Sequence, residues 1–195
     1  MKNDDVLAVK SIIEENALFS EALLTIIGGY TVPLPHRGIY TSNTPQIDYT
    51  YFGGYYVSLD MTFDLIAISV TTAGGAGKRA RLGIYSSLNK TPDSLILDCG
   101  LVAVDAIAVV TSVISQRLKK GLYFIALQPE ETAAKYAFIY PVISPFGATT
   151  TLSGNQFATF RDITTTFAGG LPATANAALY TAYGGCLLAQ LRRSA

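Results

Sequence analysis

The sequence predicts an all-β protein: an antiparallel, jelly-roll-like β-sandwich preceded by one N-terminal α-helix. Three observations predict it. Eight or nine short stretches between residue 55 and the C-terminus carry apolar residues at alternate positions, the period of a half-buried strand. Gly, Pro, Asn and Asp punctuate these stretches, and no second helical pattern interrupts them. A single segment, at the N-terminus, spaces its apolar residues as a helix does.

That segment runs from about Asp4 to Ile27. Asp4 or Asp5 can cap its start, carboxylates suit its first turn, and Gly28-Gly29 stops it. Val6, Val9, Ile13, Asn16, Ser20, Leu23 and Ile27 follow a three-four spacing, apolar at both ends and polar in the middle. A second stripe of Ile12, Phe19 and Ile26 broadens the apolar face. A helix of this length is about 35 Å long, a rod rather than a core element. Residues 1–29 therefore read as a docking or oligomerisation helix with Val6, Val9, Ile13, Leu23 and Ile27 on its contact face. The competing reading packs the helix on its own sandwich.

Residues 30–54 read as a linker or arm. They hold Pro33, Pro35 and Pro45 with several Gly and Tyr and few aliphatics. The sandwich domain spans 55–195. Tyr55–Asp60 and Met61–Thr72 read as one long strand or a bent pair, apolar on both faces at Ile66, Ala67 and Ile68 and so central. Ala73-Gly74-Gly75-Ala76-Gly77 is a tight turn, after which Arg79–Tyr85 alternates arginines outward with Ala80, Leu82 and Ile84 inward. Leu95–Val104, Val109–Leu118, Gly121–Gln128, Tyr136–Ile143, Phe157–Thr166 and Tyr180–Leu191 complete the set.

At 195 residues the chain can bury a core without disulfides or metal. Only 14% of its residues are charged and its mean hydropathy is +0.34, too little charge to cover a monomer well. Burial of apolar surface between copies answers this best. Zero net charge speaks against a nucleic-acid partner held by phosphate contacts. No apolar run reaches the roughly 18 residues that cross a bilayer, so membrane insertion is not expected. The opening Lys2-Asn3-Asp4-Asp5 is unlike a secretory leader, which implies synthesis in the cytoplasm. Cys99 and Cys186 lie in separate strands; a sandwich can bring them together, but buried free thiols suit that compartment better.

Chemistry-bearing patterns are sparse. His36 is the sole histidine, which excludes a multi-histidine metal site, and no metal or cofactor is expected. G-x-S-x-G is absent. Gly74–Lys78 has the outline of a phosphate loop, yet lacks the first Gly, the Ser or Thr after Lys, and a following helix. Asp60, Asp64, Asp98, Asp105, Glu130, Glu131 and Asp162 are scattered, with no pair marked out for glycoside hydrolysis. Asp98-Cys99-Gly100 reads as local turn chemistry. Tyr49, Tyr51, Phe52, Tyr55 and Tyr56 crowd eight positions, a cluster suited to sugar stacking but better suited to a core or an interface.

The order of three blocks is more specific. Lys78–Tyr85 reads K-R-A-R-L-G-I-Y, Pro92–Gly100 reads P-D-S-L-I-L-D-C-G, and Ile114–Leu127 reads I-S-Q-R-L-K-K-G-L-Y-F-I-A-L. This order resembles the distal domains of tailed-bacteriophage fibre and virion-surface proteins. Gly169–Thr174, G-G-L-P-A-T, and the last strand running into Arg192 are similar to the closing part of those domains, extending the likeness to residues 60–193. The loop is small and apolar enough to lie flat against a neighbouring chain. The resemblance implies a non-enzymatic tail fibre or spike of a virion: a homo-oligomer, expected to be a trimer, docked to other virion proteins by its helix and contacting a host-surface glycan. It supplies no catalytic motif. A capsid decoration or head-fibre protein is the near alternative, and a carbohydrate-binding or hydrolytic domain the distant one. In an adhesin, the loops Ser86–Ser94 and Gln128–Lys135 would present the ligand site, with Tyr85 and Lys90 as contributors; both also read as plain solvated connections.

Overall fold

The computed structural model describes residues 27–31, 38–141, 159–176, 178–180 and 186–194. Thirteen strands run through them: β1 (Tyr30–Thr31), β2 (Gly38–Asn43), β3 (Thr50–Val57), β4 (Met61–Thr72), β5 (Arg79–Leu88), β6 (Thr91–Ala103), β7 (Ala108–Leu118), β8 (Gly121–Pro129), β9 (Lys135–Pro141), β10 (Thr159–Asp162), β11 (Ala178–Tyr180), β12 (Cys186–Leu187) and β13 (Ala189–Arg193). They form two antiparallel sheets, and the described chain is all-β.

In the first sheet β4 is the spine. β7 pairs along one side of it, while β13 and then β9 succeed each other along the other. β1 extends this sheet beyond β13, and β2 and β12 flank β9. The second sheet runs β11-β10-β3-β8-β5-β6. Few neighbours in either sheet are neighbours in sequence. The chain changes sheet between β2 and β3, β3 and β4, β4 and β5, β6 and β7, β7 and β8, β8 and β9, β9 and β10, and β11 and β12.

The core lies between the sheets and follows the two-residue period of the strands. Tyr55 and Val57 from β3, Leu82 and Ile84 from β5, and Ile125 and Leu127 from β8 face Phe63, Ile66 and Ile68 from β4. Tyr136 and Phe138 of β9 and Leu191 of β13 close it. The second sheet is also buried on its other face, where Phe52, Tyr85, Phe124, Ala126 and Phe160 form a separate cluster. β3 and β8 are therefore apolar in consecutive positions, a pattern that strands wet on one side do not show.

Three expectations change. Residues 30–54 are not a plain linker, because they hold β1, β2 and half of β3. Thr50–Val57 is rich in aromatic β-formers and lies in mid-sheet between β10 and β8, with Pro45 buried in the turn before it. The stretch read as a strand over Phe157–Thr166 leaves the sheet after Asp162. That carboxylate accepts bonds from the Thr164 amide at 2.8 Å and the Asn176 amide at 2.9 Å, which turns the chain away. The stretch Tyr180–Leu191 divides among β11, β12 and β13. Of the helix residues, Val6, Val9, Ile13 and Leu23 lie outside the described residues. Ile27 sits exposed in a turn, after which Gly28 donates its amide to the Arg193 carbonyl at 2.8 Å.

Candidate functional site

The hairpin of β5 and β6 carries both residues expected to meet a ligand, and it separates them. Asn89 and Lys90 take φ of 50° and 66°, the left-handed pair of a two-residue hairpin turn, so Ser86–Ser94 is strand and tight turn rather than loop. Lys90 is exposed at the tip. Tyr85, five residues earlier, is 0% exposed and cannot offer a ring to a sugar. Its ring packs edge-on against Phe52, with centroids 5.1 Å apart, and its hydroxyl donates to the Pro172 carbonyl at 2.7 Å. Burial holds the phenol well above the ordinary tyrosine range, and the charges of Asp162 and Asp98 add to this. The alternation that turned Ala80, Leu82 and Ile84 inward placed Tyr85 on the opposite face, which the sequence alone leaves wet.

What covers that face is the segment 163–176, which contains G-G-L-P-A-T. It crosses the second sheet as a strap. Leu95 donates its amide to the Ala173 carbonyl at 2.9 Å, Ala175 to the Asp93 carbonyl at 2.7 Å, and Ser94 bridges Thr174. Buried Gln128 donates through Nε2 to the Thr166 and Gly170 carbonyls at 3.0 and 3.4 Å. Leu171 comes down over β5, where a Cβ in place of the Gly83 hydrogen would overlap its Cδ1. A strand glycine here permits close approach of the strap. At its near end Phe167 donates its amide to Asp48 Oδ1 at 3.0 Å, and Thr165 shares a 3.0 Å hydroxyl bond with Thr50.

The carboxylates hold turns. Around Gly74–Lys78, Gly75 donates to Glu131 Oε1 at 2.7 Å, Gly77 to Asp105 Oδ2 at 3.2 Å and Arg79 to Glu130 Oε2 at 3.0 Å. Amides that a phosphate loop would aim at its ligand are here spent on the chain's own carboxylates. Asp60 accepts from the Lys120 amide at 2.8 Å. Asp98 pairs with Arg81 at 2.8 Å and accepts from the Gly100 amide at 2.9 Å. Cys99 is the extra residue of the bulge there, opposite the step from Leu82 to Gly83, and Gly100 takes the φ of +83° that follows it. Its free thiol points into the core, where burial lifts it to about 12; the side chain of Cys186 lies outside the described residues. Among the described residues no group of three His, Cys, Asp or Glu side chains is placed to hold a metal ion. His36 lies outside the described residues.

The aromatic cluster divides in the same way. Tyr51, Phe52 and Tyr55 are buried, Tyr49 is half-buried under the Arg161 guanidinium at 5.0 Å, and only Tyr56 is exposed. The core reading holds for Tyr51, Phe52 and Tyr55. A feature the sequence reading passed over is the apolar edge where β6 and β7 come together. Leu101, Ile107, Val109 and Val113 lie exposed there. Its signal was present: Cys99–Gln116 contains one charged residue, Asp105.

No protein-family model matches the chain, and no curated protein matches it either. No helix among the described residues is long and apolar enough to cross a membrane.

Proposed function

We propose that this chain is a non-enzymatic structural protein of a bacteriophage virion, fibre- or spike-like, with a jelly-roll-like sandwich facing outward. One observation carries the reading. Most of the blocks that resemble phage fibre domains, spread from Lys78 to Thr174, fall on one continuous unit, while I-S-Q-R-L lies on β7 and the last strand into Arg192 is β13, both in the first sheet. The R-L-G-I-Y strand is β5, P-D-S-L-I-L-D-C-G is β6 and G-L-Y-F-I-A-L is β8, three adjacent strands in the order β6-β5-β8. The G-G-L-P-A-T block is the strap laid across those same strands. Residues that resemble a family in order and also build one surface together make a stronger case than scattered words. The repeated crossing between sheets supports the jelly-roll-like description.

In this reading the chain is a trimer, residues 1–29 dock it to other virion proteins, and the distal end meets a host glycan. Burial of Tyr85 removes the aromatic from the glycan site proposed on the hairpin, and this favours a second reading, a capsid decoration or head-fibre protein. Immunogold labelling of purified particles with antibody against this chain decides between them. Label at the tail supports the fibre, label on the head supports decoration, and unlabelled particles would overturn both. Chain lacking residues 1–26 should fail to bind particles that have been stripped of the protein.

A further inference from the structure

We propose that the ridge formed by β6 and β7 is the surface through which copies of this chain contact one another; this rests on the oligomeric reading above and gives it a location. Among the described residues β7 pairs with β4 alone, so its other side is a free edge. β6 pairs with β5 and, over Asp93–Leu95 only, with the strap. The two edges come together where the Ser112 hydroxyl meets the Cys99 carbonyl. They belong to different sheets, so their outward side chains form two flanks of one ridge.

Both flanks carry exposed apolar side chains, beside Thr111 and Ser115 on β7. On β6, Leu101 is 38% exposed; on β7, Val109 is 64% and Val113 84% exposed; Ile107, in the turn between the strands, is 71% exposed. Natural edge strands are guarded by lysines, prolines or inward charges, because a bare edge pairs with another chain. From Leu101 to Gln116 there is no Pro, Lys or Arg, and the single carboxylate, Asp105, is turned to the Gly77 amide. Ala108–Val113 pairs with β4 without a register shift, which leaves its other side regular.

Side chains of these sizes at these exposures present on the order of 400 Å² of apolar surface, the size of the functional patches on soluble proteins. A stable interface takes about 800 Å² per partner, of which such a patch is the dry centre. The occupant is a second copy of the chain. An uncharged patch gains nothing from a charged partner, and the edge of β7 is one that the edge of β6 on the next copy can satisfy. A ridge apolar on both flanks is covered fully only between two neighbours. A closed ring provides that, and a two-fold pair does not.

The test compares the full-length chain with Val109→Glu/Val113→Glu and with Leu88→Glu, an exposed apolar residue at the far end of the β5–β6 hairpin. Sedimentation equilibrium at micromolar concentration should give three times the monomer mass for wild type and Leu88→Glu. The double variant should give monomer mass with the wild-type far-ultraviolet circular dichroism. A wild-type chain of monomer mass overturns the oligomeric reading together with the ridge. An oligomer that survives the double variant, or that Leu88→Glu breaks equally well, overturns the ridge alone. Hydrogen exchange on the wild type needs no variant to fold. The amides of residues 109–113 should gain protection as dilute chain is concentrated into the oligomer, and unchanged exchange there also overturns the ridge.

Discussion

Replacing Tyr85 separates a binding role for the hairpin from a structural one. If the ring met a ligand, Tyr85→Ala would leave the melt untouched. The structure reverses that expectation. Tyr85→Phe removes one hydrogen bond, from Oη to the Pro172 carbonyl, and keeps the ring against Phe52. Such a bond contributes about 0.5–1.5 kcal/mol net. Tyr85→Ala removes the ring as well and opens a cavity among Phe52, Phe124 and Phe160, a class of change that costs about 3–5 kcal/mol. For a chain of this length each kcal/mol moves the Tm by about 2–4 °C, so the two variants should melt lower by about 1–6 °C and 6–20 °C. Calorimetry must hold protein concentration fixed, since any oligomer adds its own dependence. Limited proteolysis gives a second readout: Tyr85→Phe should speed cleavage within 163–176 before it speeds cleavage of the sandwich. A Tyr85→Ala protein that melts with wild type would refute the strap-and-core account and return the ring to the surface.

Two further outcomes follow from single contacts. Gly83→Ala drives a methyl into Leu171 and should cost about 1–3 kcal/mol, while in combination with Leu171→Ala its added cost should largely vanish in a double-mutant cycle; full additivity would mean that the two never touch. Arg192 grips the Asp64 carboxylate with two bonds, at 2.8 and 2.9 Å, and the Arg192 side-chain bond is the first cause of its lowered pKa. With the folded pKa below the unfolded value, this contribution is complete above about pH 4 and fades as the pH falls through the folded pKa. Asp64→Asn should flatten the acid limb of the Tm–pH curve, and an unchanged slope would show that the pair is not coupled to folding.

The strand pattern was legible because alternation and turn chemistry are local. Val109–Leu118 and Gly121–Gln128 were bounded within a residue at each end, and Met61–Thr72 has the bounds of β4, but Tyr55–Asp60 does not continue or bend into it: Tyr55–Val57 belongs to β3, in the other sheet. Asp98-Cys99-Gly100 was readable as a bend, and it is the bulge of β6. The rest depended on long-range partners. Thr50–Val57 reads as half linker because the prolines before it and its own Gly53-Gly54 are local signals, whereas its place between β8 and β10 is set by partners such as Gly121 and Asp162, far along the chain. Tyr85 reads as exposed because strand alternation names two faces without saying whether the second is covered. No period in 163–176 announces that it will lie on the sheet; its bonds to Asp93, Leu95 and Gln128 only become visible in three dimensions. The apolar run from Leu101 to Val113 was in plain view, but a buried strand and a bare edge look alike in sequence.

The low charge of the chain now has two sources, and they carry different weight. A sandwich ordinarily leaves the outer face of each sheet to water and spends its charged residues there. Here the strap covers the outer face of the second sheet, so Phe52, Tyr85, Phe124 and Ala126 stand where polar side chains would otherwise be required. Part of the apolar excess is thus internal, and composition alone overstates the need for a partner. The remainder is external and concentrated: among the exposed large apolar residues, Leu101, Ile107, Val109 and Val113 fall within thirteen positions on one ridge, while Ile27, Tyr30, Ile47, Tyr56, Leu88 and Ile163 are dispersed along the chain. Scattered apolar side chains are normal on any soluble protein. Association therefore depends on where these residues lie, at the edge of β6 and β7 that, among the described residues, neither the strap nor a charge covers.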